Sequence, residues 1–311
     1  IRCYTESMKI ASTAIVGLGA VGAVVASRLT SFFGKANVQC IVDAARKARY
    51  EHDGIFINGA WQDFNYVTPQ EAFPADLIII ATKNLQLEDA LESIRACVKA
   101  DTAIMALCNG IQSERDASAV YGEERVLYSF IIGISSIHEK NQIRCPIEGR
   151  IVFGEKDNKK TDRVKAVEEL FTKAKIESEV PKNIHLEQWK KFLLNVVFNT
   201  LSALCRAPYG AFSAPVMRDL ARSVGKEVIA VAQAEGVPLT QAIFEDTLSL
   251  IIGLDAHGKT SMLQDFEAGR KSENAWFCGT VNKLGKAHGI PTPVCTLLEA
   301  LVEGTEIARG I

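Results

Sequence analysis

Six residues, Gly17-Leu18-Gly19-Ala20-Val21-Gly22, constrain the fold of this chain more than any other stretch. They follow a short apolar run, Ala11 to Val16, and open a longer apolar segment, Ala20 to Phe33. Between a strand and a helix, a G-x-G-x-x-G turn gives each glycine a separate task. Gly17 turns tightly, Gly19 lets the backbone approach a pyrophosphate, and Gly22 lets helix and strand pack closely. The first N–H groups of the helix and the positive end of its dipole then meet the phosphate charge. The six-residue pattern alone is weak. Strand, turn, helix and a second apolar strand at Val38 to Val42 occur here in register, and together they predict a dinucleotide site at the start of an α/β domain.

The rest of the first half continues that alternation. Ala44 to His52 reads as a charged helix, and Leu77 to Ala81 as a strand buried on both faces. Leu85 to Val98 reads as a helix and Thr102 to Leu107 as a strand, which implies parallel βαβ units. Val126 to Ile137 and Ile143 to Gly154 read as two longer β segments, and Asp162 to Lys175 as an amphipathic helix. After Pro181 strand alternation stops. Leu186–Leu204, Ala214–Glu235, Gln241–Leu254, Asp265–His288 and Thr296–Ala308 carry helical periodicity, separated by Gly and Pro. The chain of 311 residues is long enough for two domains. The expected fold class is α/β: a Rossmann-type NAD(P)-binding domain over 8–180 and an all-α substrate or catalytic domain over 181–311. Residues 1–7 precede a plausible start at Met8 and are expected to be a tail outside the fold. The apolar stretch Ala14 to Ala26 does not read as a signal-peptide core, since three glycines interrupt it.

A net charge of -2 does not favour a nucleic-acid or anionic-membrane surface, and no apolar run is long enough to span a bilayer. Eight cysteines are scattered singly, with no C-x-x-C pair. Cys40, Cys108, Cys205 and Cys278 lie among apolar residues and read as buried free thiols, which fits a reducing, cytoplasmic compartment and argues against a zinc or other metal site. Oligomeric state stays open, with a homodimer as the candidate assembly.

The residue closing the second strand bears on cofactor choice. Asp43 would accept hydrogen bonds from a ribose 2′-hydroxyl and repel a 2′-phosphate, which favours NAD. Arg46, Lys47 and Arg49 follow within two helical turns, and an arginine binds a phosphate in bidentate fashion. NAD and NADP both remain open on these residues.

The segment Trp189 to Leu204 is apolar round most of a helix, as expected of a buried one. Lys191, Asn195 and Asn199 nevertheless recur at every fourth position, on one face, and Ser202 falls near the same stripe. Burying an ammonium and two amides is costly unless they are paired or wetted, so the stripe is either satisfied internally or lines a cleft. A lysine so placed loses hydration, which favours its neutral form and eases proton donation to a substrate oxygen. Lys190, about 100° round the helix, is expected to reach solvent. Downstream, Ser261-Met-Leu-Gln-Asp265 precedes an expected helix carrying Arg270 and Glu273. Glu273 is either half-buried beside Trp276 and Phe277 or a surface carboxylate paired with Arg270. Lys83 and Asn109 follow two strands of the first domain, where ligands of open α/β sheets bind.

Taken together, GLGAVG at Gly17–Gly22, ATK ending at Lys83, CNG at Cys108–Gly110, WKKFLLNVVFN at Trp189–Asn199 and SMLQD…RxxE from Ser261 to Glu273 resemble the ketopantoate reductase (2-dehydropantoate 2-reductase) family over essentially the whole length. The resemblance implies reduction of ketopantoate to pantoate with NADPH, in pantothenate synthesis. It implies that Lys191 is the proton donor to the substrate carbonyl, and that Glu273 holds the substrate hydroxyl and helps orient Lys191. It further implies that Asn195, Asn199 and Ser261 bind the keto acid, and that Lys83 and Asn109 line the nicotinamide side. Asp43 departs from the arginine usual in the family. That departure keeps open an NAD-dependent 2-hydroxyacid dehydrogenase acting on another branched 2-keto acid. A non-catalytic dinucleotide sensor is the third reading.

Overall fold

The computed structural model describes residues 8–311; the expected tail at 1–7 lies outside the described residues. The chain divides into two compact units, one through Ile184 and one from His185 to Ile311.

The first unit runs β1 (Thr13–Val16), α1 (Ala20–Phe33), β2 (Val38–Ile41), α2 (Ala44–Asp53), β3 (Ile55–Ile57), β4 (Ala60–Gln62), β5 (Asn65–Val67), β6 (Leu77–Ile80) and α3 (Leu87–Ser93). It continues with β7 (Ala103–Ala106), α4 (Ser113–Tyr121), β8 (Val126–Ile132), β9 (Ser135–Glu139), β10 (Gln142–Ile147), β11 (Arg150–Gly154), α5 (Asp162–Lys173) and β12 (Ser178–Glu179). Eight strands form one sheet in the order β12-β11-β8-β7-β6-β1-β2-β5. From β5 to β8 every pair is parallel, and β11 then returns antiparallel to β8. This is the Rossmann-type sheet anticipated from the glycine turn. Its strand order reverses at β1 and β6, so the crevice that takes ligands in such sheets lies beyond their carboxyl ends.

β1 shows why its residues must be apolar on both sides. Ile15 joins a core with Ala23, Val24 and Leu29 of α1 and Val164, Val167 and Phe171 of α5. Its neighbours Ala14 and Val16 join a separate core with Leu87, Ala90 and Leu91 of α3. Alternation along a pleated strand sends successive side chains to opposite faces, and helices cover both.

The two long β segments each break in the middle. β8 and β11 belong to the large sheet, whereas β9 and β10 pair in a second sheet of order β4-β3-β10-β9. Gly149 adopts φ +74, and a Cβ there would lie 2.7 Å from the Ile132 carbonyl oxygen. The chain changes sheets at a residue only glycine tolerates, while β-type patterning runs on across the break. The segment Leu85–Val98 also divides, into α3 between two 3-10 turns. The three-residue strands β3 to β5 are too short to show a period of two.

Asp76 fastens the amino ends of β1 and β6. Its Oδ2 accepts hydrogen bonds from the backbone N–H groups of Ala11 (2.7 Å) and Ser12 (2.9 Å) and from the Ser12 hydroxyl (3.0 Å), and Oδ1 pairs with Lys99. Burial raises its pKa, but the bonds from Lys99, Ala11 and Ser12 outweigh burial and hold the carboxyl below its ordinary range. A depressed pKa in the folded state stabilises at pH above the unfolded value and is lost as pH falls through the folded one. Asp76→Asn is therefore expected to cost about 1–3 kcal/mol at pH 7, and the deficit is expected to shrink below about pH 4. Urea unfolding of both proteins at pH 7 and pH 3 reads this; an equal deficit at both values would contradict it.

The second unit is helical, with no strand among its residues. α6 (Ile184–Leu194), which starts at the last residue of the first unit, passes into a π turn at Asn195–Asn199 and then α7 (Thr200–Cys205). α8 (Pro215–Ala234), α9 (Gln241–Ile252), α10 (Ser261–Glu267), α11 (Cys278–His288) and α12 (Pro293–Arg309) follow. Phe192, Phe198, Phe212, Phe244 and Phe277 are among its fully or almost fully buried side chains, and Phe198 meets Phe212 edge-on at 5.1 Å. The expected helix Asp265–His288 is interrupted. α10 stops at Glu267, and the chain resumes as α11 only at Cys278, so Arg270 and Glu273 lie in the irregular segment between them. Cys40, Cys108 and Cys278 are buried free thiols as expected, but Cys205 is exposed. It ends α7, where Arg206 turns into the left-handed region and the apolar face no longer covers the chain. No helix among the described residues is long and apolar enough to cross a membrane.

Candidate active site

In the first unit the glycine turn has the geometry its spacing implies. Gly17 adopts φ +91, and a Cβ there would sit 2.7 Å from the Ala81 carbonyl carbon and oxygen. A Cβ on Gly22 would lie 1.8 Å from the Gly17 oxygen, so α1 can approach the turn only with glycine there. A Cβ on Gly19 would meet nothing within 4 Å. Gly19 starts α1 with no side-chain cap, and the first turn carries no acidic residue. The N-cap thus offers the helix's leading N–H groups no side-chain acceptor, and the space over Gly19 would fit a pyrophosphate at close approach. Leu18 is buried and anchors the turn, with Ala20 and Val21 half-buried beside it.

Lys83 follows β6 as an exposed residue in extended conformation. The next residue, Asn84, is buried, and its Nδ2 donates to the Asn109 carbonyl oxygen at 2.8 Å. The Cys108 thiol also donates to the Thr82 carbonyl at 3.3 Å. The loops after β6 and β7 are therefore laced together, bringing the Lys83 and Asn109 segments side by side. Sequence reasoning passed over Asn84; the only signal was a polar residue directly after a candidate.

Asp43 caps α2. Its Oδ1 accepts from the Arg46 N–H at 2.7 Å, and its Oδ2 lies 3.4 Å from the Arg46 guanidinium, with both side chains more than half exposed. The other two basic residues are engaged elsewhere. Lys47 pairs with Glu71 at 2.7 Å, and the Arg49 guanidinium lies 5.0 Å over the Tyr50 ring. Of the three, Arg46 is the one beside Asp43.

In the second unit the two asparagines of the expected stripe come together. Asn195 and Asn199 are 5% and 4% exposed and bracket the π turn. Such turns widen the backbone locally and recur at functional sites. Asn199 Nδ2 donates to Asn195 Oδ1 at 3.2 Å and reaches Ser261 Oγ at 3.4 Å. Asn195 Nδ2 is itself buried without a hydrogen-bond partner. Lys191 and Lys190 are both half-buried on α6, and Lys190, expected to reach solvent, pairs with Glu187 at 2.7 Å with about a third of its side chain exposed. Ser202 is turned to a capping task, donating to the Ala207 carbonyl at 2.6 Å. Glu273 is buried rather than on the surface, and the Arg270 guanidinium sits on Asp265 at 2.7 Å.

Residues 13–158 match the family described as Ketopantoate reductase PanE/ApbA, and residues 183–306 match Ketopantoate reductase PanE/ApbA C terminal. The chain belongs to the ketopantoate reductase family. As a member it is an oxidoreductase, an NAD(P)-dependent dehydrogenase of the 2-dehydropantoate 2-reductase type. It is 27% identical over 302 residues to the uncharacterized oxidoreductase YkpB of Bacillus subtilis, covering 95% of this chain and 99% of that protein. The crystal structure of 2-dehydropantoate 2-reductase from Geobacter metallireducens GS-15 is similar with a TM-score of 0.83 at 26% identity, over 94% of this ketopantoate reductase family chain and 99% of that one. D-mandelate dehydrogenase, in a ternary structure with NADH and anilino(oxo)acetate, shares the fold with a TM-score of 0.87 at 22% identity, over 96% and 99% of the two chains.

Proposed function

We propose that this protein reduces 2-dehydropantoate to pantoate with NADPH, the reduction step of pantothenate synthesis. The observation that carries this reading is the buried amide of Asn195, whose unpartnered Nδ2 lies on a stripe with Asn199 and next to Ser261. A buried donor left without an acceptor costs about 1–3 kcal/mol, a cost that a bound keto acid would remove by supplying an oxygen.

In this reading residues 8–180 are the NAD(P)-binding domain and 181–311 the catalytic one. Gly17 to Gly22 hold the pyrophosphate, Asp43 and Arg46 the adenosine ribose, and Lys83 and Asn109 the nicotinamide side. The reduced nicotinamide supplies the hydride when bound. The chain's residues do the rest. Asn195, Asn199 and Ser261 fix the keto acid by its oxygens. Glu273 holds the substrate hydroxyl. As C2 is reduced, negative charge grows on the carbonyl oxygen; the Lys191 ammonium stabilises it and then gives it a proton. The protein is further proposed to work in the cytoplasm as a homodimer, the latter read by sedimentation velocity.

Asp43 favours a second reading, in which NADH reduces another branched 2-keto acid. Steady-state assays with ketopantoate, 2-ketoisovalerate and 2-ketoisocaproate, each with NADH and NADPH, separate the two. Ketopantoate is expected to give the highest kcat/KM; the lowest of the three values would reject it as substrate. Asp43→Arg is expected to shift preference toward NADPH about tenfold, by replacing a repelling carboxylate with a bidentate phosphate ligand. The same change should cost roughly 1 kcal/mol of stability, because Asp43 caps α2. An unmoved NADPH/NADH ratio would mean that Asp43 faces away from the ribose.

A further inference from the structure

Glu273 is the proposed active residue with the least regular support. It lies between α10 and α11, at the mouth of a 3-10 turn, with φ −96 and ψ 23. Its two neighbours in the chain are nevertheless tightly held. The Ser272 N–H and the Ser272 hydroxyl both donate to Glu306 Oε1, at 2.8 and 2.6 Å. The Asn274 N–H donates to the Ser272 hydroxyl at 3.3 Å. One oxygen of one carboxylate, near the end of α12, thus secures the backbone on both sides of Glu273, directly before it and through a hydroxyl after it. The network extends further, since the Thr200 hydroxyl reaches Asn274 Oδ1 at 3.5 Å, and Thr200 directly follows Asn199.

Glu306 is only 7% exposed and forms no ion pair among the described residues. Both hydrogen bonds that its carboxylate makes go to Ser272, so the group is dedicated to that one segment. What it gains is a fixed direction for the segment it grips. We propose that Glu306 is a positioning residue that holds Glu273 in its working orientation through Ser272. The inference rests on the reading that Glu273 acts on the substrate.

Steady-state kinetics of the whole chain, on the 2-keto acid it turns over fastest, test it. Glu306→Ala is expected to lower kcat about tenfold or more, since a displacement of about 1 Å at a reacting group is enough for such a loss. KM for the dinucleotide, and its affinity by calorimetric titration, should stay within about twofold, because nothing in this network belongs to the first unit. Glu306→Gln keeps Oε1 as an acceptor for both Ser272 donors and is expected to restore kcat to within about threefold. Wild-type kcat in Glu306→Ala overturns the proposal, and so does a glutamine variant as impaired as the alanine. If Glu306→Ala does not fold, Glu306→Asp decides: its carboxylate is one methylene shorter and is withdrawn from both Ser272 donors, and unchanged kcat there overturns the proposal. Glu273→Gln separates the two layers. Full activity in that variant would remove the role of Glu273 itself; an inactive Glu273→Gln beside a fully active Glu306→Ala would remove only the positioning role.

Discussion

Replacing Lys191 with alanine is expected to lower kcat by about 10²-fold or more, with dinucleotide affinity unchanged. Ketone reduction places charge on an oxygen that must end as a hydroxyl, and an ammonium beside it both stabilises that charge and supplies the proton. Lys190 is the internal control. It is as close in sequence as a residue can be, but it pairs with Glu187 on the same helix. Lys190→Ala should leave kcat within about threefold, since a half-buried i,i+3 ion pair on one helix contributes well under about 1 kcal/mol and takes no part in the reaction. Stopped-flow and steady-state measurements on both variants read the contrast. Equal losses, or none in Lys191→Ala, would place the donor elsewhere.

The second large effect concerns two glycines three residues apart. Gly22→Ala is expected to destabilise the first unit by about 3 kcal/mol or more, because its Cβ would lie 1.8 Å from the Gly17 oxygen and neither the turn nor α1 can yield without losing packing. Gly19→Ala should leave stability almost untouched. Its Cβ meets nothing within 4 Å, and its φ of −70 suits any residue. On the proposed reading the same methyl would stand in the path of the pyrophosphate, so dinucleotide affinity is expected to fall at least tenfold, about 1.4 kcal/mol. Chemical denaturation and calorimetric titration of both variants give opposite rankings if the turn binds phosphate. A Gly19→Ala protein with wild-type affinity would show that the space over Gly19 is not used.

Much of the fold is legible in the sequence. The glycine turn, the continuously apolar Leu77–Ile80 and the loss of strand alternation after Pro181 place a parallel sheet first and a helical unit after it. These signals are local, and a buried strand or an amphipathic helix writes its burial into its own residues. The sheet change at Gly149 left no such trace, because strands on either side carry the same period of two. The break between α10 and α11 escaped for a related reason: Asp265–His288 keeps helical spacing through a segment that its own hydrogen bonds turn aside.

The site divides along the same line. Sequence alone determined which residue types stand in the stripe Lys191, Asn195 and Asn199, and which glycines flank an anion-ready helix, since both follow from spacing within one element. Only the tertiary structure decided that Asn199 meets Ser261 across 62 positions, that Arg46 rather than Lys47 or Arg49 stands beside Asp43, and that Glu306 grips the segment bearing Glu273. Those contacts join residues from different elements, and a hydrogen bond between distant positions has no period along the chain by which to be read.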